Sequence, residues 1–471
     1  MRLFSIKILF ISIITFIIGF IGLNTGVFWD NVIFISQMGD ALYQHGILSW
    51  GSIPVEHDSG HPPFVASIMV LFWYIFGKSL LVSHLILWPF IFGIVWQLYN
   101  LCSVFIKKRE LCFLSVLFLL IDTTLLAHII SIDIEVPLLF FCLYAVNSIL
   151  LCNDKQKFLA LVFLSMVSLR GMMLCFGLFL FDIWLHKKYI KTLKIYFIAS
   201  IPSLLFVFWR LYDKGWIISN PLHIWGDSLS FISFSDFIKN MGWNLIVIIH
   251  RYIDFGRFIP ILFILFTLIY KRKSFKKKEV RILIALSLLS VSAILLSCII
   301  LKNAIGHRYF LISFIFIELL ALILVEYYRK RIFLCSVMVL SLISGSFYVY
   351  PDKISELWDS TMAHYPYWKL RSKALNYMDN HNIEIKNTAS FYPNLSIDEV
   401  ELNMDSRQFQ YFDGSNEYVL FSNVMIYSEE DYDMLMDKYY LIKTYQSRGV
   451  RMEIRKLKKL VKLNTPFDNS K

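Results

Sequence analysis

The chain has 471 residues, of which 57% are hydrophobic, 17% aromatic and only 17% charged, with a mean hydropathy of +0.59. Soluble chains run near one-quarter charged, so this composition excludes an ordinary soluble protein and describes a polytopic membrane protein. Residues 351–471 hold 18 of the 35 acids and 16 of the 46 bases, which puts −2 of the net +11 in a tail of ordinary composition and +13 upstream. That split excludes disorder, a secreted disulfide scaffold and a nucleic-acid binder, whose bases would form a stripe on a soluble domain. The seven cysteines lie in or beside apolar runs and imply no disulfide framework or CxxC metal site.

A membrane-crossing helix needs roughly 20 apolar residues. Arg2 and Lys7 begin an apolar run to about Leu23 that lacks a small-x-small cleavage pattern, so it reads as an uncleaved first span (4–23). Further runs fall at about 80–105, 111–129, 134–152, 192–210, 257–270, 280–301, 309–327 and 331–349. The stretch from Phe158 to Leu185 is too long for one helix and is interrupted by Arg170-Gly171, so two short helices are expected to meet there. The expectation is eleven spans, with residues 1–350 as the membrane domain.

Lys and Arg gather on the cytoplasmic side of membrane spans. With a cytoplasmic N-terminus, 21 of the 30 upstream bases fall inside, among them Lys107, Lys108, Arg109 and the seven between Lys271 and Arg281. Nine stay outside, including Arg170, Arg210, Arg251, Arg257 and Arg308. The acids Asp30, Asp40, Glu56, Asp58, Asp122, Asp133 and Glu135 fall in or beside the first two outer loops. Two outer segments are long, Gly26–Ser79 and Leu211–Gly256, and their aromatic content suits amphipathic helices lying at the interface. Residues 351–471 mix helical stretches at 368–380 and 429–440 with strand-like runs at 417–427 and 450–455, as a small extracytoplasmic α/β domain would.

The first outer loop, residues 24–79, carries the most informative residues: Phe28-Trp29-Asp30-Asn31, Ala41 to Gly46, and His57-Asp58-Ser59-Gly60-His61-Pro62-Pro63-Phe64. Acids beside histidine at the edge of a bundle, followed by a rigid Pro-Pro helix start, are what a buried polar reaction site needs. In its order of elements the chain resembles the glycosyltransferase-C superfamily, in the bacterial branch related to protein O-mannosyltransferases and the lipid A aminoarabinose transferase. Those proteins show an acid after the first span, an amphipathic A…G helix, a (K/H)-P-P-(L/F) element, a helix ending in F-G and a second long span. Here Asp30, Ala41–Gly46, His61-Pro62-Pro63-Phe64, Phe76-Gly77 and Leu80 onward follow in that order. Asp133, Arg170-Gly171 and Arg308-Tyr309 also match in position, whereas Asn31 stands where the mannosyltransferases have a second acid and Arg170 where Lys is commoner.

The resemblance implies transfer of a sugar from a polyprenyl-phosphate carrier to a hydroxyl of a protein, lipid or glycan, with inversion and no cofactor or metal. Asp30 would be the general base, made more basic by partial desolvation beside Phe28 and Trp29. Asp58 is the second catalytic candidate. Asp58 and His61 would orient the acceptor or touch the donor phosphate; alternatively Asp58 caps the helix begun at Pro62 and His61 is a surface residue. Asp133, Arg170, Arg308 and Tyr309 are the remaining substrate-binding candidates. Arg170 needs an anionic partner, which is Asp133, Glu135 or the lipid phosphate, and Arg308 is otherwise a span-end anchor. Glu318 is an intramembrane acid with no assigned role. The rival readings are a transporter or flippase of lipid-linked saccharides, which would show repeated halves, and a non-catalytic membrane scaffold. The eleven-span reading predicts that a reporter fused after Lys471 is active only outside the cytoplasm, and a reporter active in the cytoplasm contradicts the count.

Overall fold

Helices are forced on the apolar runs because a backbone away from water must satisfy its own hydrogen bonds. The computed structural model describes residues 2–27, 31–217, 228, 230–302, 304–353, 360–395, 402 and 405–458. The chain divides into two compact units: residues 1–349 with 357–365 and 402–404, and residues 350–356, 366–401 and 405–471.

The larger unit is helical. It comprises α1 (Arg2–Gly22), α2 (Met38–His45), α3 (Phe64–Phe76), α4 (Leu80–Phe105), α5 (Arg109–Leu120), α6 (Thr123–Ile130), α7 (Glu135–Leu150) and α8 (Asp154–Val167). It continues with α9 (Leu169–His186), α10 (Tyr189–Lys214), α11 (Phe234–Ile253), α12 (Phe258–Tyr270), α13 (Lys278–Leu289), α14 (Ser292–Ile300), α15 (Leu311–Val325) and α16 (Arg331–Ser344). Five stretches among the described residues are long and apolar enough to cross a membrane: α4, α9, α10, 278–300 and 307–325. The count rises to 7 if the bent pairs α5–α6 (80°) and α11–α12 (95°) are each one span; α1, α3, α7 and α16 are apolar but shorter. The long apolar runs are therefore helices as expected, but the number eleven does not follow from their lengths. The stretch 307–325 is 83% buried and so central, while α10 turns Leu204, Leu205 and Phe208 outward, as a helix facing lipid does.

Three interruptions shape this unit. The α8–α9 break lies at Ser168, two residues before the expected position. Ser168 is extended, and its Oγ accepts from the Gly171 N–H at 3.2 Å as the N-cap of α9. Gly171 is required there because a Cβ would sit 1.9 Å from the Leu164 carbonyl oxygen. The run expected as one span at 111–129 bends at Ile121-Asp122, where Asp122 caps α6 by accepting from the Leu125 N–H at 2.8 Å. The α11–α12 corner turns at Gly256, whose φ of +85° and distance of 1.8 Å from its ideal Cβ to the Ser341 oxygen admit no side chain. Within the long outer segment Leu211–Gly256, residues Phe234–Ile253 form the 20-residue helix α11 that leads into that corner.

The smaller unit holds α17 (Tyr367–Asn380), α18 (Glu429–Lys438) and a five-stranded sheet of β1 (Thr388–Ser390), β2 (Gln410–Tyr411), β3 (Tyr418–Ser422), β4 (Tyr439–Ser447) and β5 (Val450–Leu457) in the order β2-β1-β3-β5-β4. β1 runs parallel to both β2 and β3, and β5 is antiparallel to both β3 and β4. Arg448 and Gly449, both with positive φ (52° and 85°), make the tight β4–β5 turn. Both expected helices and the β3 and β5 strands are present. The edge strand β4 was not anticipated, because most of its side chains are exposed and give no clean alternation.

Candidate active site

α7, α9 and the turn before α15 meet around a cavity lined by Glu135, Arg170, Arg308 and Tyr309, with Leu138, Cys142, Leu174 and Ile294 among its apolar walls. Local structure explains how these four side chains converge. Glu135 is the first residue of α7 and Arg170 the second of α9, and Arg308 and Tyr309 sit on the 3-10 turn His307–Phe310. The helix starts and the turn are set by the break at Ser168, the Asp133 loop and the chain ahead of α15.

Glu135 pairs through Oε1 with Nη2 of Arg170. The Arg170 guanidinium also lies over the Tyr309 ring, 4.8 Å from its centroid, and Arg308 approaches the same ring at 5.6 Å. Tyr309 thus places its π face between two cations, an attractive geometry at both distances. Glu135 is 2% exposed and the two arginines 8% each. Among the described residues two guanidiniums and one carboxylate line the cavity. Nη1 of Arg170 is buried without a hydrogen-bond partner. A buried donor left open costs about 1–3 kcal/mol, and an anion in the cavity would remove that cost.

The structure settles the partner of Arg170 as Glu135. Asp133 faces elsewhere: its Oδ2 pairs with Nδ1 of His128 on α6, and its Oδ1 accepts from the Glu135 N–H at 3.0 Å. Asp58 is 2% exposed and does not cap the helix begun at Pro62, since the N-cap position of α3 has no side-chain hydrogen bond. Its Oδ1 accepts from Nη2 of Arg210 at 2.7 Å and from the Gly60 N–H at 3.1 Å. The Arg210 guanidinium in turn lies 4.0 Å from the Trp216 ring centroid. His61 is not a bare surface residue. Its Nδ1 accepts from the Leu169 N–H at 3.2 Å, so it docks the first loop on the start of α9, one residue from Arg170. Arg170, Arg308 and Tyr309 therefore share one cavity, His61 binds the residue before Arg170, and Asp58 and Asp133 are engaged with other partners.

Asp30 lies outside the described residues. The adjacent Asn31 is 1% exposed, its Oδ1 has no hydrogen-bond partner, and a π-helical turn, Val32–Gln37, follows. Such turns are rare and concentrate at functional positions. Glu318 does have neighbours, Asp122 and Arg257. Arg257 binds Asp122 in a fork, Nε to Oδ2 at 2.7 Å and Nη2 to Oδ1 at 3.0 Å. The sequence carried no signal for this trio beyond three charges in or beside apolar runs. Among the described residues no group of three or more His, Cys, Asp or Glu side chains could hold a metal ion.

No family model matches the sequence, and no curated protein matches it. Among solved structures the chain is similar to the crystal structure of ArnT from Cupriavidus metallidurans bound to undecaprenyl phosphate. The match has a TM-score of 0.51 and 10% sequence identity, and covers 94% of this chain and 97% of that one. The fold is like that of this ArnT structure, and the order of motifs in the sequence points to the same architecture.

Removing one member of a buried ion pair strands the other. Arg170→Met is expected to cost about 3–5 kcal/mol of stability, and Arg170→Met combined with Glu135→Gln to recover most of it. Thermal unfolding of the three proteins in detergent checks this, and a double variant as unstable as Arg170→Met contradicts the pairing.

Proposed function

We propose that the protein is an integral membrane glycosyltransferase that moves a sugar from a polyprenyl-phosphate carrier to an acceptor hydroxyl on the outer face of the inner membrane, with inversion. The observation that carries this reading is the cavity in which two buried guanidiniums outnumber one carboxylate around Tyr309. A phosphate diester or monoester suits it: guanidinium donates in a planar fork that matches phosphate oxygens, and the open Nη1 of Arg170 supplies a donor. The glycosyltransferase-C-like fold, and a structural neighbour whose crystals hold undecaprenyl phosphate, support the lipid carrier as the source of that phosphate.

In this reading Asp30 takes the proton from the acceptor hydroxyl as its oxygen attacks the anomeric carbon from the face opposite the phosphate. The bond between the anomeric carbon and the phosphate oxygen breaks, and its electron pair leaves with the polyprenyl phosphate. Arg170 and Arg308 stabilise the charge that develops there, with Tyr309 holding the two cations in place. Glu135 orients Arg170. His61 fixes the first loop, and with it the chain leading back to Asp30, against the helix that carries Arg170. Asp58 orders the same loop through Arg210. No resident metal or cofactor takes part. The domain formed by residues 351–471 lies outside the cytoplasm in this reading.

Asp30→Asn is expected to abolish sugar transfer, by 10³-fold or about 4 kcal/mol of barrier, while the protein still inserts, unfolds at the wild-type temperature and binds undecaprenyl phosphate. The readouts are accumulation of the lipid-linked sugar in cells carrying only the variant, and binding by the purified protein. Wild-type transfer by Asp30→Asn removes Asp30 as the base.

A further inference from the structure

The turn that carries Arg308 and Tyr309 is gripped from one side by a single corner of the fold. At the end of α11 and the corner after it, three side chains reach across to residues 305–313. Arg251 Nε donates to the Ile305 carbonyl at 2.9 Å, Tyr252 donates through its hydroxyl to Ser313 Oγ at 3.1 Å, and His307 Nε2 donates to Asp254 Oδ2 at 3.1 Å. Asp254 is itself fixed, its Oδ1 accepting from the Phe255 N–H at 2.9 Å, and the Phe255 ring packs on the His307 imidazole with centroids 4.8 Å apart. His307 is 1% exposed and its Nδ1 has no hydrogen-bond partner. A neutral imidazole that donates from Nε2 and leaves Nδ1 as a bare acceptor satisfies both facts.

The next two residues are the ones that enter the cavity. A 3-10 turn fixes the direction of successive side chains about 120° apart, so the orientation of His307 sets where Arg308 and Tyr309 point. The corner and the end of α16 approach closely: a Cβ on Gly256 would lie 1.8 Å from the Ser341 oxygen, and one on Gly345, just past α16, 2.4 Å from the Phe255 oxygen. A contact this well fixed, one residue from a charged cavity, is suited to hold the turn.

We infer that Asp254 and His307 are positioning residues that aim Arg308 and Tyr309 at the anionic group of the substrate. The inference rests on the proposed reading of the cavity as a phosphate site, and the two can fail separately. The test uses the full chain in nanodiscs with undecaprenyl phosphate as the probe. His307→Ala is expected to weaken binding about tenfold, the loss of one charge-assisted hydrogen bond. His307→Gln, whose side-chain N–H can still reach Asp254, is expected to bind within about twofold of wild type. Because His307 acts through Arg308 and Tyr309, His307→Ala combined with Arg308→Ala should lose clearly less than the product of the two single losses. In the ligand-free protein His307→Ala should also raise amide exchange across residues 306–310.

Wild-type binding by His307→Ala, or losses that multiply in the double variant, overturn the inference. If Arg308→Ala binds as wild type, the phosphate reading of the cavity fails; raised exchange in His307→Ala then still upholds the grip on the turn, and unchanged exchange refutes it too. Should His307→Ala not fold, Asp254→Ala removes the same contact from the other side and is read in the same way.

Discussion

A charge taken out of water into an apolar bundle is tolerated only beside an opposite charge, and the membrane unit is organised by that demand. Glu135 and Arg170, Asp122 and Arg257, Asp58 and Arg210, and Lys157 and Asp182 are all pairs in which both side chains are almost wholly buried. Asp58 and Arg210 are 152 residues apart in the chain, and Asp122 and Arg257 are 135 apart. Stranding one member of such a pair costs several kcal/mol, whereas apolar faces slide past one another at little cost in a lipid-like interior. The ion pairs therefore select one arrangement of helices from the many that hydrophobic burial alone would allow.

Arg170 Nη1, Arg210 Nε and Arg257 Nη1 are all buried donors without a partner, so what distinguishes the pairs is their surroundings. Arg257 gives Asp122 two well-formed hydrogen bonds, and Asp122 spends its other capacity capping α6. Asp58 is likewise shared between Arg210 and the Gly60 amide. Arg170 has one carboxylate, an aromatic face and a donor with nothing to bind, and it opens on a cavity where a second arginine faces the same ring. It is this cavity, with two guanidiniums around one ring, on which the proposed phosphate site rests. Its walls come from three places in the chain, and each is held by a local device: Ser168 and Gly171 at the start of α9, Asp133 at the start of α7, and the α11–α12 corner beneath the turn before α15.

Much of the helical framework is legible in the sequence because long apolar runs leave the backbone no other choice. α4 spans the residues the hydropathy pattern gives it, and α7 and α10 differ from their runs by a few residues at the ends. The bends are less legible, since Asp122 and Asp254 look like loop acids until the folded chain shows one capping a helix and the other holding a histidine. That Arg170, Arg308 and Tyr309 come together at one cavity was readable only as far as the order of motifs is readable. Choosing Glu135 over Asp133 as the partner of Arg170 was not, because two acids two residues apart at a helix start differ only in the direction each faces, which helix phase and His128 decide. Arg210 could not be linked to Asp58, nor Arg257 to Asp122 and Glu318, because nothing local in the sequence records a contact made across more than a hundred residues.

The central claim is that the cavity between α7, α9 and the turn before α15 binds the phosphate of a polyprenyl carrier. Cryo-electron microscopy of the protein in nanodiscs with undecaprenyl phosphate tests it most directly. The account predicts phosphate density within hydrogen-bond distance of Arg170 and Arg308, beside the Tyr309 ring, with the lipid tail leaving between helices. Phosphate density elsewhere in the bundle, with this cavity unchanged, contradicts it.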